Sequence, residues 1–202
     1  LLIPAYQPNE KLIELVRTLR KLRPNQRIIV VDDGSDEDKS SIFSKVCNFN
    51  VELLKHTKNQ GKGQALKTGF KHWLASSTPT ALGIVTADAD GQHLPKDIIH
   101  ISDVFMKNPI GLYLGVREFN KASTPWRSRF GNKLTKFVLR LFTRIPLQDT
   151  QTGLRAIPRK LIKNTLLNSK TSSYDFELEM LLATEQQQIA IQQIPISTVY
   201  LD

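Results

Sequence analysis

The chain has 202 residues, 40% of them hydrophobic, and 28 Lys and Arg against 19 Asp and Glu give it a formal net charge of +9. That is enough for one sizeable core, and the basic balance points to an anionic partner such as phosphate, nucleic acid or an anionic membrane surface. A single cysteine, Cys47, excludes an internal disulfide and fits a reducing compartment.

Leu1 to Ile3 reads as a short strand closed by Pro4. Asn9 can cap a helix with Glu10 in its first turn, and Leu12, Val16 and Leu19 recur at helical spacing. The β-branched run from Arg27 to Val31 predicts a buried strand that ends at Asp32-Asp33-Gly34-Ser35, with a helix N-cap at Ser35 or Asp36. A helix using Ile42, Phe43 and Val46 follows, then a short strand from Val51 to Leu54. Gly61-Lys62-Gly63 opens a third helix carrying Ala65, Leu66, Phe70 and Trp73. The apolar run from Ala81 to Ala87 predicts a strand, with a helix from about Pro95 and another strand from Ile110 to Val116. Strands alternating with helices imply an α/β domain: a mostly parallel sheet flanked by helices, in a single domain. Beyond Arg117 the rhythm changes. A long basic helix is expected from about Pro125 to Phe142, then an irregular Gln148–Thr152 segment and a short strand near Leu154–Ile157. Helices near Arg159–Leu167 and Phe176–Gln187 and a last strand from about Ile189 to Ile194 complete the pattern.

The stretch that organises the chemistry is Asp88-Ala89-Asp90-Gly91-Gln92-His93. It follows an apolar strand, and in α/β proteins the carboxyl ends of the strands are where ligands bind. Two carboxylates aimed at one point repel unless a cation lies between them. Hard oxygen ligands suit Mg²⁺ or Mn²⁺, which hold substrate phosphates. Asp32 and Asp33 sit past the end of another strand, where a carboxylate can accept from ribose hydroxyls or a base N–H. Gly61-Lys62-Gly63 offers backbone N–H groups and a positive charge to a diphosphate. Arg129, Lys133, Lys136, Arg140 and Arg144 form one stripe beside an apolar face, a pattern that suits either a solvated helix face or a helix lying on an anionic bilayer. Arg117 and Arg127 precede that helix and can clamp a phosphate. The four histidines show no metal-ligand spacing and read as structural or surface residues.

In order, these pieces run from Ile3-Pro4-Ala5-Tyr6 through Asp32-Asp33-Gly34-Ser35, Asn59-Gln60-Gly61-Lys62-Gly63 and the Asp88–His93 stretch to Asp149-Thr150-Gln151-Thr152-Gly153-Leu154-Arg155. Together they resemble the glycosyltransferase family 2 proteins, inverting enzymes of GT-A fold. The Asp-Ala-Asp-Gly-Gln-His form and the late Gly-Leu-Arg are similar to the branch that glycosylates polyprenyl and dolichyl phosphates. The resemblance implies a Rossmann-like GT-A domain over the whole chain, with a nucleotide-sugar-binding half (1–116) and an acceptor-side half (117–202). It implies that Pro4, Ala5 and Tyr6 line the nucleotide pocket, that Asp32 and Asp33 hold base and ribose, and that Lys62 sits near the phosphates. Asp88 and Asp90, joined by Gln92, would be the metal site for Mg²⁺ or Mn²⁺. Arg117 and either Arg127 or Arg129 would receive the lipid phosphate. Asp149 is a candidate base or a partner for Arg155, itself carried over as substrate-binding, and Glu177 and Glu179 are further candidate bases.

The partners so implied are a UDP- or GDP-sugar donor, a polyprenyl phosphate acceptor and an anionic membrane surface, with no nucleic acid. The implied location is the cytoplasmic face of the cell membrane. Leu1-Leu2-Ile3-Pro4 reads as a strand already under way and the chain stops at Val199-Tyr200-Leu201-Asp202 without a tail. Truncation at both ends and a fused or separate small membrane domain are therefore expected. Three alternatives stay open on sequence: a saccharide hydroxyl acceptor, a nucleotidyltransferase and a basic nucleic-acid-binding module.

Overall fold

The computed structural model describes residues 1–117, 149, 152–164, 169 and 175–197. The basic stripe, Arg127 and Arg129 lie outside the described residues.

Seven strands form one sheet: β1 (Leu2–Ala5), β2 (Ile29–Asp32), β3 (Glu52–Lys55), β4 (Gly83–Thr86), β5 (Leu112–Arg117), β6 (Arg155–Pro158) and β7 (Ile191–Ile196). Their order across the sheet is β3-β2-β1-β4-β6-β5-β7. All run parallel except β6, which inserts antiparallel between β4 and β5 and pairs Thr86 with Arg155 and Tyr113 with Ala156. In the first half the register is regular, with Ile3 opposite Val30 and Val31 opposite Leu54.

Six helices cover the faces among the described residues: α1 (Glu10–Leu22), α2 (Ser40–Cys47), α3 (Lys62–Ser76), α4 (Pro95–Lys107), α5 (Arg159–Asn164) and α6 (Asp175–Gln186). Side chains alternate across a strand, so neighbouring residues feed separate cores. Leu2 and Ile29 join Phe70, Trp73, Phe176 and Met180 beneath α3, α5 and α6. Ile3 and Val30 join Leu12, Val16, Phe43 and Phe105 beneath α1, α2 and α4. Burial on both faces is what the near-continuous apolar strands demand.

Local signals behave as their chemistry requires. Asn9 caps α1, its side chain accepting from the Lys11 N–H at 3.0 Å, and Pro95 opens α4. The expected cap at Ser35 or Asp36 is corrected. Asp36 precedes a short 3₁₀ turn, Glu37–Lys39, without a side-chain cap bond, and the Ser35 hydroxyl instead accepts from the Gln7 N–H at 3.0 Å.

Chain order places β2 and β3 on one side of β1 and β4 on the other. The connections therefore diverge where β1 and β4 end, and a crevice opens at such a switch point.

Candidate active site

A cleft of about 510 Å³ occupies that crevice. Pro4 and Ala5 line it from β1 and Tyr6 from just past its end, Asp33 from just past β2, Gly61 and Lys62 from the start of α3, and Asp88 and Asp90 from the turn after β4. Tyr6 is 53% exposed at this wall, an aromatic face already open to a ligand.

The two acids at the end of β2 are largely occupied by the protein itself. Asp32 is 2% exposed; its Oδ1 accepts from the Ser35 N–H at 2.8 Å, and the Lys55 ammonium stands 3.9 Å from Oδ2. Asp33 accepts from the Gln60 and Gly61 N–H groups at 3.0 and 2.8 Å and pairs with His56 Nδ1 at 2.6 Å. Asp33 thus fixes the loop that starts α3. Gly61 takes φ +92 there, a conformation glycine adopts without a Cβ penalty. Asp33 still touches the cleft, whereas Asp32 lies behind it.

Lys62 and Asp88 form the centre. The Lys62 ammonium is 2.7 Å from Asp88 Oδ1 and 2.9 Å from Glu177 Oε1. Asp88 Oδ2 receives His93 Nε2 at 3.1 Å, so that nitrogen must carry the proton; His93 Nδ1 is buried without a hydrogen-bond partner among the described residues. Burial pushes the Asp88 carboxyl up, but the His93 hydrogen bond and the Lys62 ammonium outweigh it and hold it below the usual carboxylate range. Burial likewise pulls Lys62 down, and Asp88 and Glu177 together raise it above an ordinary lysine. Both groups are charged at neutral pH.

Asp90 is exposed at the cleft, and its Oδ1 accepts from the Gln92 N–H at 2.9 Å. Gln92 thus contributes its backbone to the turn, and its side chain does not line the cleft. No group of three or more His, Cys, Asp and Glu that could hold a metal is assembled among the described residues. Two hard carboxylates at one cleft nevertheless suit Mg²⁺ or Mn²⁺, which keep several waters and take their remaining ligands from substrate phosphates. The ammonium already seated on Asp88 shows that this position attracts a cation.

At the end of β5, Arg117 grips Asp149 with two bonds, Nε to Oδ2 at 2.7 Å and Nη2 to Oδ1 at 3.2 Å. Asp149 is fully buried. Burial lowers Arg117, and Asp149, Asp88 and Asp90 more than restore it. Asp149 thus anchors Arg117 and also faces Arg155, whose guanidinium is pulled down by burial against the charges of Glu177 and Asp149. The substrate-binding role given to Arg155 is corrected. Arg155 is 1% exposed and donates to the carbonyls of Thr152 at 2.9 Å and Glu177 at 2.7 Å. It ties the 152–154 loop to the first turn of α6, and that turn presents Glu177 to Lys62.

Two participants stand inside motifs of the sequence without a role of their own assigned there. His93 closes the Asp-Ala-Asp-Gly-Gln-His run and was read as structural, yet it touches Asp88. Gly153 packs its backbone on the Asp88 carboxylate and is held by the Thr86 hydroxyl, which donates to its carbonyl at 2.8 Å.

With this geometry in place, comparison with known proteins is decisive for the family. The family model for glycosyl transferase family 2 matches residues 1–166. The chain belongs to glycosyl transferase family 2. This family 2 chain is 29% identical over 219 residues to UDP-N-acetylglucosamine–dolichyl-phosphate N-acetylglucosaminyltransferase of Methanococcus voltae, covering 100% of the chain and 86% of the relative. It is 24% identical over 203 residues to polyprenol monophosphomannose synthase of Mycolicibacterium smegmatis, covering 97% and 75%. Among solved structures it resembles mannosyl-3-phosphoglycerate synthase from Rubrobacter xylanophilus, with a TM-score of 0.74 at 16% identity, covering 97% of this chain and 64% of that one. The family and the GT-A fold expected from the motifs both hold, and the family 2 chain is a glycosyltransferase.

Proposed function

We propose that this glycosyltransferase moves a sugar from a UDP- or GDP-sugar to a polyprenyl phosphate, with inversion at the anomeric carbon. The observation that carries the reading is the meeting of Asp88, Asp90 and Lys62 at one cleft, with the Arg117 guanidinium, anchored on Asp149, within electrostatic reach of both acids. Two anionic substrates repel each other, and a site that joins them must supply cations to both. The relatives from Methanococcus voltae and Mycolicibacterium smegmatis are named for dolichyl phosphate and polyprenol monophosphate chemistry, which supports the acceptor class. They carry different sugars.

In this reading the nucleotide lies along β1, with Tyr6 beside its base and Lys62 at its diphosphate. Asp88 and Asp90 would hold Mg²⁺ or Mn²⁺, which when bound neutralises charge on the leaving diphosphate. Arg117, anchored by Asp149, receives the acceptor phosphate. An oxygen of that phosphate attacks the anomeric carbon. The bond from that carbon to the diphosphate oxygen breaks, and the nucleoside diphosphate leaves with the electron pair. A phosphate monoester has a second pKa near 6 and is largely ionised already, so no carboxylate base is required. A saccharide hydroxyl would need one, and that acceptor is disfavoured because Asp149 faces a guanidinium, Glu177 an ammonium and Glu179 the Ser169 hydroxyl.

Among the described residues no helix is long and apolar enough to cross a membrane. We assign membrane contact to the acceptor lipid and to the basic 125–144 stretch, whose Lys and Arg residues suit the anionic cytoplasmic face of a membrane. The test is incubation with radiolabelled UDP- and GDP-sugars, polyprenyl phosphate and Mg²⁺, followed by organic extraction. Label should enter the lipid phase only when all three are present. Transfer to saccharide with none to lipid would refute the acceptor assignment.

A further inference from the structure

We propose that Lys62 is the cation a divalent metal must displace: without nucleotide its ammonium occupies Asp88, so metal binds productively only together with a diphosphate that draws Lys62 away. The inference rests on the reading that metal sits at Asp88 and Asp90.

Each oxygen of Asp88 already carries a donor, Lys62 on Oδ1 and His93 on Oδ2. A divalent ion arriving at Oδ1 meets a unit positive charge 2.7 Å away from its ligand. Ammonium and metal ion cannot share that oxygen without strong repulsion. The lysine stem is flexible, so the ammonium can move, provided that a new anion receives it. The diphosphate is that anion. Lys62 begins α3, and a helix N-terminus favours a phosphate at the same place.

Glu177 makes the exchange local. It holds the same ammonium at 2.9 Å, and its own backbone is pinned by Arg155. When Lys62 leaves Asp88, Glu177 keeps it at the cleft wall rather than releasing it to solvent. Glu177 is therefore a positioning residue, acting through Lys62.

The decisive variant removes the ammonium without changing net charge. In Lys62→Met with Glu177→Gln, one positive and one negative charge vanish together, Asp88 is uncovered, and no buried acid is left unpaired. Free Mn²⁺ is followed by electron paramagnetic resonance in the full chain, first with Mn²⁺ alone and then with UDP or GDP added; circular dichroism melts confirm folding. Mn²⁺ alone should bind this double variant about tenfold tighter than wild type, within the usual range of coupling between sites. Lys62→Met alone should shift the same way, and UDP or GDP should enhance Mn²⁺ binding less in both variants than in wild type. Equal Mn²⁺ affinity in wild type and folded double variant, with nucleotide-supported binding intact, would overturn the inference alone. Absence of Mn²⁺ binding to wild type with either nucleotide would overturn the metal reading itself, and the inference with it.

Discussion

Gly153 and Asp88 are in contact through the glycine's missing side chain. A Cβ on residue 153 would stand 2.3 Å from Asp88 Oδ2 and 2.4 Å from Oδ1, inside any real contact distance. Thr86, at the end of the strand that leads to Asp88, fixes the Gly153 carbonyl at 2.8 Å. The loop before β6 is thus moulded onto the acid that the proposed chemistry needs, and the antiparallel β6 brings it there.

Gly153→Ala should therefore damage the site more than the fold. Over-packing of this kind costs about 1–3 kcal/mol, a fall in Tm of roughly 2–12 °C for a chain of this size. The Asp88 carboxylate must leave its bonds to Lys62 and His93, and kcat/KM should drop by about 100-fold or more, the scale of losing one electrostatic contact to a developing charge. Thermal melts and steady-state assays on the same preparation check both numbers. A stable variant with wild-type turnover would show that the Asp88 position is dispensable.

Asp90 tests the metal assignment without touching the core. Asp90→Asn replaces an exposed cleft carboxylate, and the surface change should move Tm by no more than about 2 °C. Turnover should fall by about 100-fold or more. Chelation by EDTA should inhibit wild type to a similar level and add little to the variant. Full activity of Asp90→Asn would end the metal reading.

The first half of this fold was legible because each element announces itself locally. Asn9 and Pro95 mark helix starts, and the apolar runs end in acids where strands end. The placement of β6 was not legible, since antiparallel insertion between β4 and β5 is decided by long-range packing around Arg155 and Tyr113. In the site, Asp88, Asp90 and Lys62 were found from their motifs, and they do converge. The chemistry of Asp32 and the family resemblance of Arg155 point both to substrate, but burial commits Asp32 to Ser35 and Arg155 to the carbonyls of Thr152 and Glu177. A motif states which groups are present; only the packed chain decides which face inward. The partnership of Lys62 with Glu177, 115 positions apart in sequence, left no trace in either segment.

Acid stability should depend on a group remote from the cleft. At the amino end of β3, Glu52 receives Arg27 at 2.6 and 2.8 Å and His72 at 2.7 Å. The Arg27 hydrogen bond, opposed by burial and helped by His72, holds the Glu52 carboxyl down to about 2 from 4.5. A depressed folded pKa stabilises fully above the unfolded value, and that stability is lost as pH falls from 4.5 towards 2. The side chain is 40% exposed, so solvent screens the pair and its share is modest. Urea midpoints measured between pH 6 and pH 3 should fall for wild type and fall less for Glu52→Gln. Activity at pH 7 should be unchanged in the variant, because the cleft lies at the opposite ends of the strands. Identical pH slopes would show that the Arg27 pair carries no net stability.

Asp149→Asn separates an anchor from a base. Asparagine keeps the shape and one acceptor oxygen but removes the charge from a fully buried site gripped by Arg117. A hydrogen bond to a charged group is worth about 1.5–3 kcal/mol, so an Arg117 that has lost its charged anchor should hold the acceptor phosphate at least about tenfold less well. The expected pattern is a raised KM for polyprenyl phosphate, with nucleoside diphosphate affinity, read by calorimetry, within about threefold of wild type. Arg117→Lys should reproduce that pattern, because an ammonium cannot make the two-pronged contact. A base would behave differently: removing it would depress kcat, leave the acceptor KM unchanged and abolish the acid limb of the kcat profile. That second pattern in Asp149→Asn would return Asp149 to the reacting atoms and reopen the case for a hydroxyl acceptor.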